Sequence, residues 1–162
     1  MRSTRRSKSR AGKESARPDP SRLVESLPHW VLDTNVVVSG LLSPHASPGR
    51  IIDALLAGRV RVVWDDRIID EYRRVLARPK FRIDPAIVQV FLAILKFQHH
   101  LSAVSVRGLE ASDPDDTKFL EVAHASPAKI LVTGNHKHYP IATRGGVMLL
   151  APSEAVKLLQ ES

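Results

Sequence analysis

The chain contains no cysteine, which excludes a disulfide scaffold, a thiol nucleophile and a zinc site built on thiolates. Aromatic residues are sparse, with two Trp, two Tyr and four Phe among 162 residues, too few to propose a base-stacking platform. The longest uninterrupted apolar stretches are a few residues, such as Val36 to Val38 and Phe91 to Leu95, far short of the roughly 20 residues a membrane-crossing helix needs. No hydrophobic segment follows the basic start, so neither a secretory signal nor a twin-arginine signal at Arg5 and Arg6 is expected. A soluble cytoplasmic protein without a membrane partner is the expectation. There is no glycine-rich phosphate loop and no internal repeat.

The net charge of +7 is concentrated at one end. Met1 to Arg22 carries eight basic residues (Arg2, Arg5, Arg6, Lys8, Arg10, Lys13, Arg17 and Arg22) against Glu14 and Asp19, whereas the remainder is nearly neutral. With little apolar surface to bury, residues 1–27 read as a disordered basic tail, and residues 28–162 as one domain of ordinary size. A basic tail can add nonspecific affinity for nucleic-acid phosphates. A solvated extension with no such role explains its composition equally well.

Beyond the tail, strand and helix patterns alternate. Trp30 to Leu32 reads as a buried strand with the polar patch Asp33, Thr34 and Asn35 at its carboxyl end. Ser47 and Pro48 open a helix carrying Ile51, Ile52, Leu55 and Leu56. Val60 to Trp64 reads as a second strand, followed by a helix over about Arg67 to Ala77 capped by Asp65 or Asp66 and ended by Pro79. Pro85 opens a third helix, rich enough in apolar residues to form core and a dimer surface. His99 and His100 are placed at its end, where the helix dipole suits them. Leu101 to Val106 is expected to be the third strand, Pro114 to Ala125 a helix, Lys129 to Thr133 and Val147 to Leu150 strands, and Ser153 to Leu159 the last helix. This alternation predicts an α/β fold, a parallel sheet of about five strands covered by helices on both faces.

The acids fall at informative places. In an open parallel sheet, ligands bind outside the carboxyl ends of the strands. Asp33 follows the first strand and Asn135 the fourth; a turn-forming Asp-Thr-Asn is the competing account of the first. On a helical projection Asp116 shares a face with Leu120 and Ala123. Capping accounts for Asp113 and its neighbour Asp115 but not for that position. Glu71 falls just off the apolar arc of its helix, where it can look along the sheet rim or pair with Arg74 and Arg67. Three acids at the strand ends without cysteine suggest a hard, oxygen-liganded cation, Mg2+ or Mn2+, which activates water and offsets phosphodiester charge.

Four ordered segments then carry a family resemblance. Trp30-Val31-Leu32-Asp33-Thr34-Asn35-Val36 resembles the start of a PIN domain. Ile69 to Leu76 and Asp113 to Ala123 resemble its second and third acidic motifs, and Leu131 to Pro140 its fourth. The match runs from about Trp30 to Leu159, and among PIN proteins the chain is most similar to VapC-like ribonuclease toxins of toxin–antitoxin pairs. The resemblance implies a three-layer α/β/α PIN-like fold and a metal-dependent endoribonuclease. It carries Asp33, Glu71 and Asp116 over as catalytic and metal-holding acids, with Glu71 a ligand or the orienter of a water. It gives Thr34, Asn35, Asp113, Thr133 and Asn135 supporting roles, RNA as substrate and a cognate antitoxin as partner, while a homodimer is suggested by the apolar third helix. His136 and His138 are candidate phosphate contacts, although solvated loop histidines are the commoner case.

The fourth motif departs from the family, which often has acids where this chain has Asn135 and His138. The change removes negative charge and raises a second reading, a catalytically degenerate PIN-like module that binds RNA or protein. An aspartyl-phosphate enzyme is disfavoured, because Asn35 stands two residues after Asp33 where that chemistry needs an acid.

Overall fold

The computed structural model describes residues 27–161. The expected tail, residues 1–27, therefore lies outside the described residues except for Leu27. Strands β1 (His29–Leu32), β2 (Arg61–Trp64), β3 (His99–His100), β4 (Ile130–Val132) and β5 (Met148–Leu150) form one parallel sheet in the order β3-β2-β1-β4-β5. Pairing is in register at Trp30 with Val62, Leu32 with Val132, Trp64 with His100 and Leu131 with Leu149. The helices are α1 (Thr34–Leu42), α2 (Ser47–Leu56), α3 (Asp66–Leu76), α4 (Pro85–Leu95), α5 (Thr117–Ala125) and α6 (Pro152–Glu161). They cover the sheet as a three-layer α/β/α sandwich. Among the described residues no helix is long and apolar enough to cross a membrane.

Buried strands in a parallel sheet must be apolar on both faces, and Trp30, Val31, Leu32, Val62, Val63, Leu131 and Val132 are at most 1% exposed. The chain builds β1, β2 and β3 outward on one side, then crosses to place β4 and β5 on the other. The crevice between the carboxyl ends of β1 and β4 is therefore the point where the winding reverses, the place such folds reserve for ligands.

Three local expectations are corrected. The residues after Asp33 form helix α1, where no helix was expected before Ser47. The β-branched run Val36-Val37-Val38 and Gly40 are poor helix formers, and tertiary burial of Val36 and Val37 overrides that preference. Gly40 is required by the crossing of α1 with α2, since a Cβ there would lie 2.6 Å from Ile52 Cγ1 and 2.9 Å from the Pro48 carbonyl oxygen. Second, His99 and His100 do not end a helix; they are β3 itself, paired with Val63 and Trp64. Third, Leu101 to Val106 is not a strand. Its apolar alternation reflects a connection laid on the core, with Leu101, Ala103 and Val106 partly buried, and the Leu101 amide makes one further bond to the Trp64 carbonyl before the edge ends.

Helix α3 is capped by Asp65, whose carboxylate accepts the Ile68 amide at 3.0 Å. Arg67 then bridges Asp65 at 2.8 Å and Glu121 of α5 at 2.7 Å, both carboxylates being nearly buried. Helix α4 divides its apolar residues between two sides. Val88, Phe91, Leu92 and Leu95 enter the core, while Ile87, Val90 and Ile94 line with Leu41, Ile52 and Leu56 an open apolar groove of about 260 Å3.

Candidate active site

Asp33 leaves β1 and takes the N-cap position of α1. Its amide bonds the Val132 carbonyl of β4 at 2.9 Å, so the acid is anchored where the two central strands diverge. The side chain is 5% exposed. Its Oδ2 accepts two hydroxyls, Thr133 Oγ1 and Tyr139 Oη, each at 2.8 Å. Burial raises the Asp33 carboxyl above its ordinary value and the charge of Glu71 adds to the effect, while the two hydroxyl bonds oppose it.

Glu71 projects from α3 toward the same crevice and is 8% exposed. Its Oε2 accepts the Thr34 hydroxyl. Its Oε1 lies 2.6 Å from Lys118 Nζ and 3.9 Å from the Arg74 guanidinium. Arg67, a candidate partner by spacing, turns instead to Asp65 and Glu121.

Asp116 closes a short 3-10 turn, Pro114–Asp116, and stands at the N-cap of α5. The expected single helix over Pro114 to Ala125 is thus a turn followed by a helix, so the helical projection that placed Asp116 on the apolar face assumed a geometry this residue does not adopt. Its carboxyl is pushed up to about 6, first by burial and then by Asp33, Asp113 and Glu71. Asp33 and Glu71 thus lie close enough to disfavour a charge on Asp116. His138 Nδ1 stands 3.7 Å from Asp116 Oδ2.

The supporting residues hold this arrangement. Thr133 is fully buried; its hydroxyl donates to Asp33 and accepts the Asn135 amide at 3.0 Å. Asn35 Oδ1 accepts the Gly134 amide at 3.2 Å, tying the start of α1 to the loop after β4. Asp113 caps the 3-10 turn by accepting the Asp115 amide at 3.0 Å. Together Asp33, Thr34, Asn35, Glu71, Asp113, Asp116, Asn135 and His138 line one cleft of about 450 Å3, with Arg74 and Arg78 on its wall. His136 lies outside it, in an adjoining cleft with Lys137 and Gly134.

Two residues without a role from sequence reasoning prove central. Tyr139 is fully buried and donates to Asp33, and its backbone carbonyl is gripped by Arg144 at 3.1 and 2.7 Å. An aromatic inside an otherwise polar loop was the available signal. Lys118 had none, because a lysine in a first helical turn ordinarily reads as solvated; here its side chain is only 13% exposed.

Among the described residues no three His, Asp or Glu side chains form a ready-made metal cage. Two of the acids are already engaged, Glu71 through both oxygens and Asp33 through Oδ2. The donor set nevertheless fits a hard divalent cation. It offers carboxylate oxygens in a half-open cleft, and a bound cation would offset the burial and the neighbouring acids that raise Asp116.

A family model described as PIN domain matches residues 29–137. An uncharacterized protein of Methanocaldococcus jannaschii is 31% identical over 108 residues, covering 65% of this chain and 69% of that protein. No solved structure matches the chain.

Proposed function

Because this chain belongs to the PIN domain family, in general a family of nucleases that use divalent metals, we propose that it is a Mg2+- or Mn2+-dependent endoribonuclease. The finer reading is that it serves as the toxin of a toxin–antitoxin pair, with RNA as substrate, a cognate antitoxin as partner and a homodimer as its assembly. One observation carries the nuclease reading. Asp33, Glu71 and Asp116, from three separate segments, line a single cleft at the reversal point of the sheet, with Asp33 and Glu71 held by hydrogen bonds from their neighbours.

Asp33 and Asp116 would hold the cation, with Glu71 beside them as a third ligand or as the holder of a water. The cation supplies activation of water and offsets charge on the phosphodiester. The chain's own residues do the rest. Thr133 and Tyr139 hold Oδ2 of Asp33, so its other carboxylate oxygen is the one available to the cleft. Arg74 and Arg78 line the cleft on the α3 side and His138 on the β4 side, groups suited to contact the phosphates of a polyanionic strand. Hydrolysis then forms one phosphorus–oxygen bond from water and breaks one to the leaving sugar oxygen.

The second reading, a degenerate RNA-binding or protein-interaction module, draws on Asn135 and His138, which bring no carboxylate to the β4 side of the cleft. A titration of Mg2+ and Mn2+ into wild type and Asp33→Ala, following cleavage of a pool of structured RNA, separates the two. Metal-dependent cutting lost in the variant is the expected outcome. Binding of RNA without cutting by either protein would favour the module.

A further inference from the structure

Lys118, paired with the cleft-lining Glu71, has no part in the nuclease reading. It follows Asp116 by two residues, and its ammonium is held from three sides. Glu71 Oε1 lies at 2.6 Å, the Asp115 carbonyl oxygen accepts a hydrogen bond at 2.7 Å, and the Phe119 ring lies beneath it at 5.4 Å. Glu71 is equally confined, since the Thr34 hydroxyl takes its other oxygen. Ordinary surface lysines gain little from an ion pair because water screens them. This pair is nearly enclosed, with the two side chains 13% and 11% exposed, and separating it would leave a charge without its partner.

We propose that Lys118 is a positioning residue whose ammonium occupies the place beside Glu71, so that the cleft takes one divalent cation, on Asp33 and Asp116, and not two. This rests on the nuclease reading of the cleft and deepens it. A cation ligated by Glu71 would have to displace an ammonium already at hydrogen-bond distance, and it would meet the repulsion of that ammonium at short range. Of the other polar residues lining the cleft, Asn135 and His138 bring no carboxylate, and the Asp113 carboxylate already accepts the Asp115 amide. Glu71 therefore acts through Thr34, whose hydroxyl it accepts in the residue directly after Asp33, and not as a ligand.

The test is a titration of the full chain with Mn2+, counting bound ions by the electron paramagnetic resonance of the free ion. Wild type, Lys118→Arg and Glu71→Gln are each expected to bind one Mn2+ per chain, and Asp116→Asn to lose it. Lys118→Met, which keeps the length and removes the charge, is expected to free Glu71 and bind two. Two ions on wild type, an unchanged count in Lys118→Met, or loss of the ion in Glu71→Gln would each overturn the inference while leaving the nuclease reading intact. Should Lys118→Met fail to fold, the wild-type and Glu71→Gln counts decide alone. No ion on wild type would overturn the nuclease reading itself.

Discussion

Asp116 and Tyr139 show how single side chains set the properties of the cleft. In the metal-free protein Asp116, pushed up to about 6, keeps its proton at pH values where the unfolded chain, near the ordinary 3.8, has lost it. The folded state therefore binds more protons in that window, so stability falls as pH rises from 3.8 to about 6 and is level above. Asp116 is partly open to solvent, and screening leaves an effect on the order of 1 kcal/mol. Asp116→Asn is expected to abolish cleavage, keep the fold and flatten that slope, which thermal melts of metal-free wild type and variant across the same window would reveal. Tyr139 works in the opposite sense. Burial, and then the charge of Asp33, raise its phenol far above its ordinary value, so it remains a donor at every working pH. Tyr139→Phe removes one of two bonds on Asp33 Oδ2 and is expected to cost about 1.5–3 kcal/mol of stability. Cleavage should fall by about 10- to 100-fold, the usual effect of losing a partner that orients a metal ligand. Measuring kcat/KM together with the denaturant midpoint separates the two losses.

Between residues and molecule, helices α1 and α2 decide how Asp33 is presented. Their close crossing depends on Gly40, and the turn that joins them packs on Gly49. At Gly40 a side chain would meet Ile52 and the Pro48 carbonyl, and at Gly49 it would collide with the backbone carbonyls of Pro44 and Ser43. Backbone cannot rotate away as a side chain can, so Gly49→Ala is expected to destabilise by about 1–3 kcal/mol through overpacking. The check is a urea midpoint that falls with an unchanged m value. A displaced α1 would also disturb Thr34 and Asn35, which link Glu71 and Gly134 to the cleft, so activity should fall further than stability alone accounts for. Helices α3 and α5 are joined differently, by Arg67 bridging two nearly buried carboxylates. This link fixes the spacing between the element that carries Glu71 and the one that carries Lys118.

At the scale of the whole molecule, the charge distribution separates recognition from chemistry. The body is close to neutral and its cleft is acidic, while the excess positive charge lies in residues 1–22, outside the described part of the structure. An acidic cleft alone repels a polyanion, and a basic arm attached to it would raise local strand concentration without choosing a sequence. Deleting residues 1–22 is expected to weaken RNA binding at low salt and to make the salt dependence of the binding constant shallower. Binding measured at a series of KCl concentrations would show this, and an unchanged slope would mean that the arm makes no phosphate contact.

Much of this molecule was legible in its sequence because short-range physics wrote it there. The apolar strands Trp30 to Leu32 and Ile130 to Val132, the caps at Asp65 and Asp113 and the prolines at 48 and 85 follow from burial and hydrogen-bond demands within a few residues. The polar breaks after those strands pointed to the sheet's carboxyl edge, where Asp33, Thr133 and Asn135 now stand. Tertiary structure decided what local preference opposed or could not see. Helix α1 forms against the β-branched habit of Val36, Val37 and Val38, because burial outweighs intrinsic propensity. His99 and His100 become a strand only because β2 offers an unpaired edge. Tyr139 and Lys118 acquire their positions from partners 106 and 47 residues away in the chain, Asp33 and Glu71. No periodicity encodes such a contact, since it exists only once the sheet has brought the two segments together.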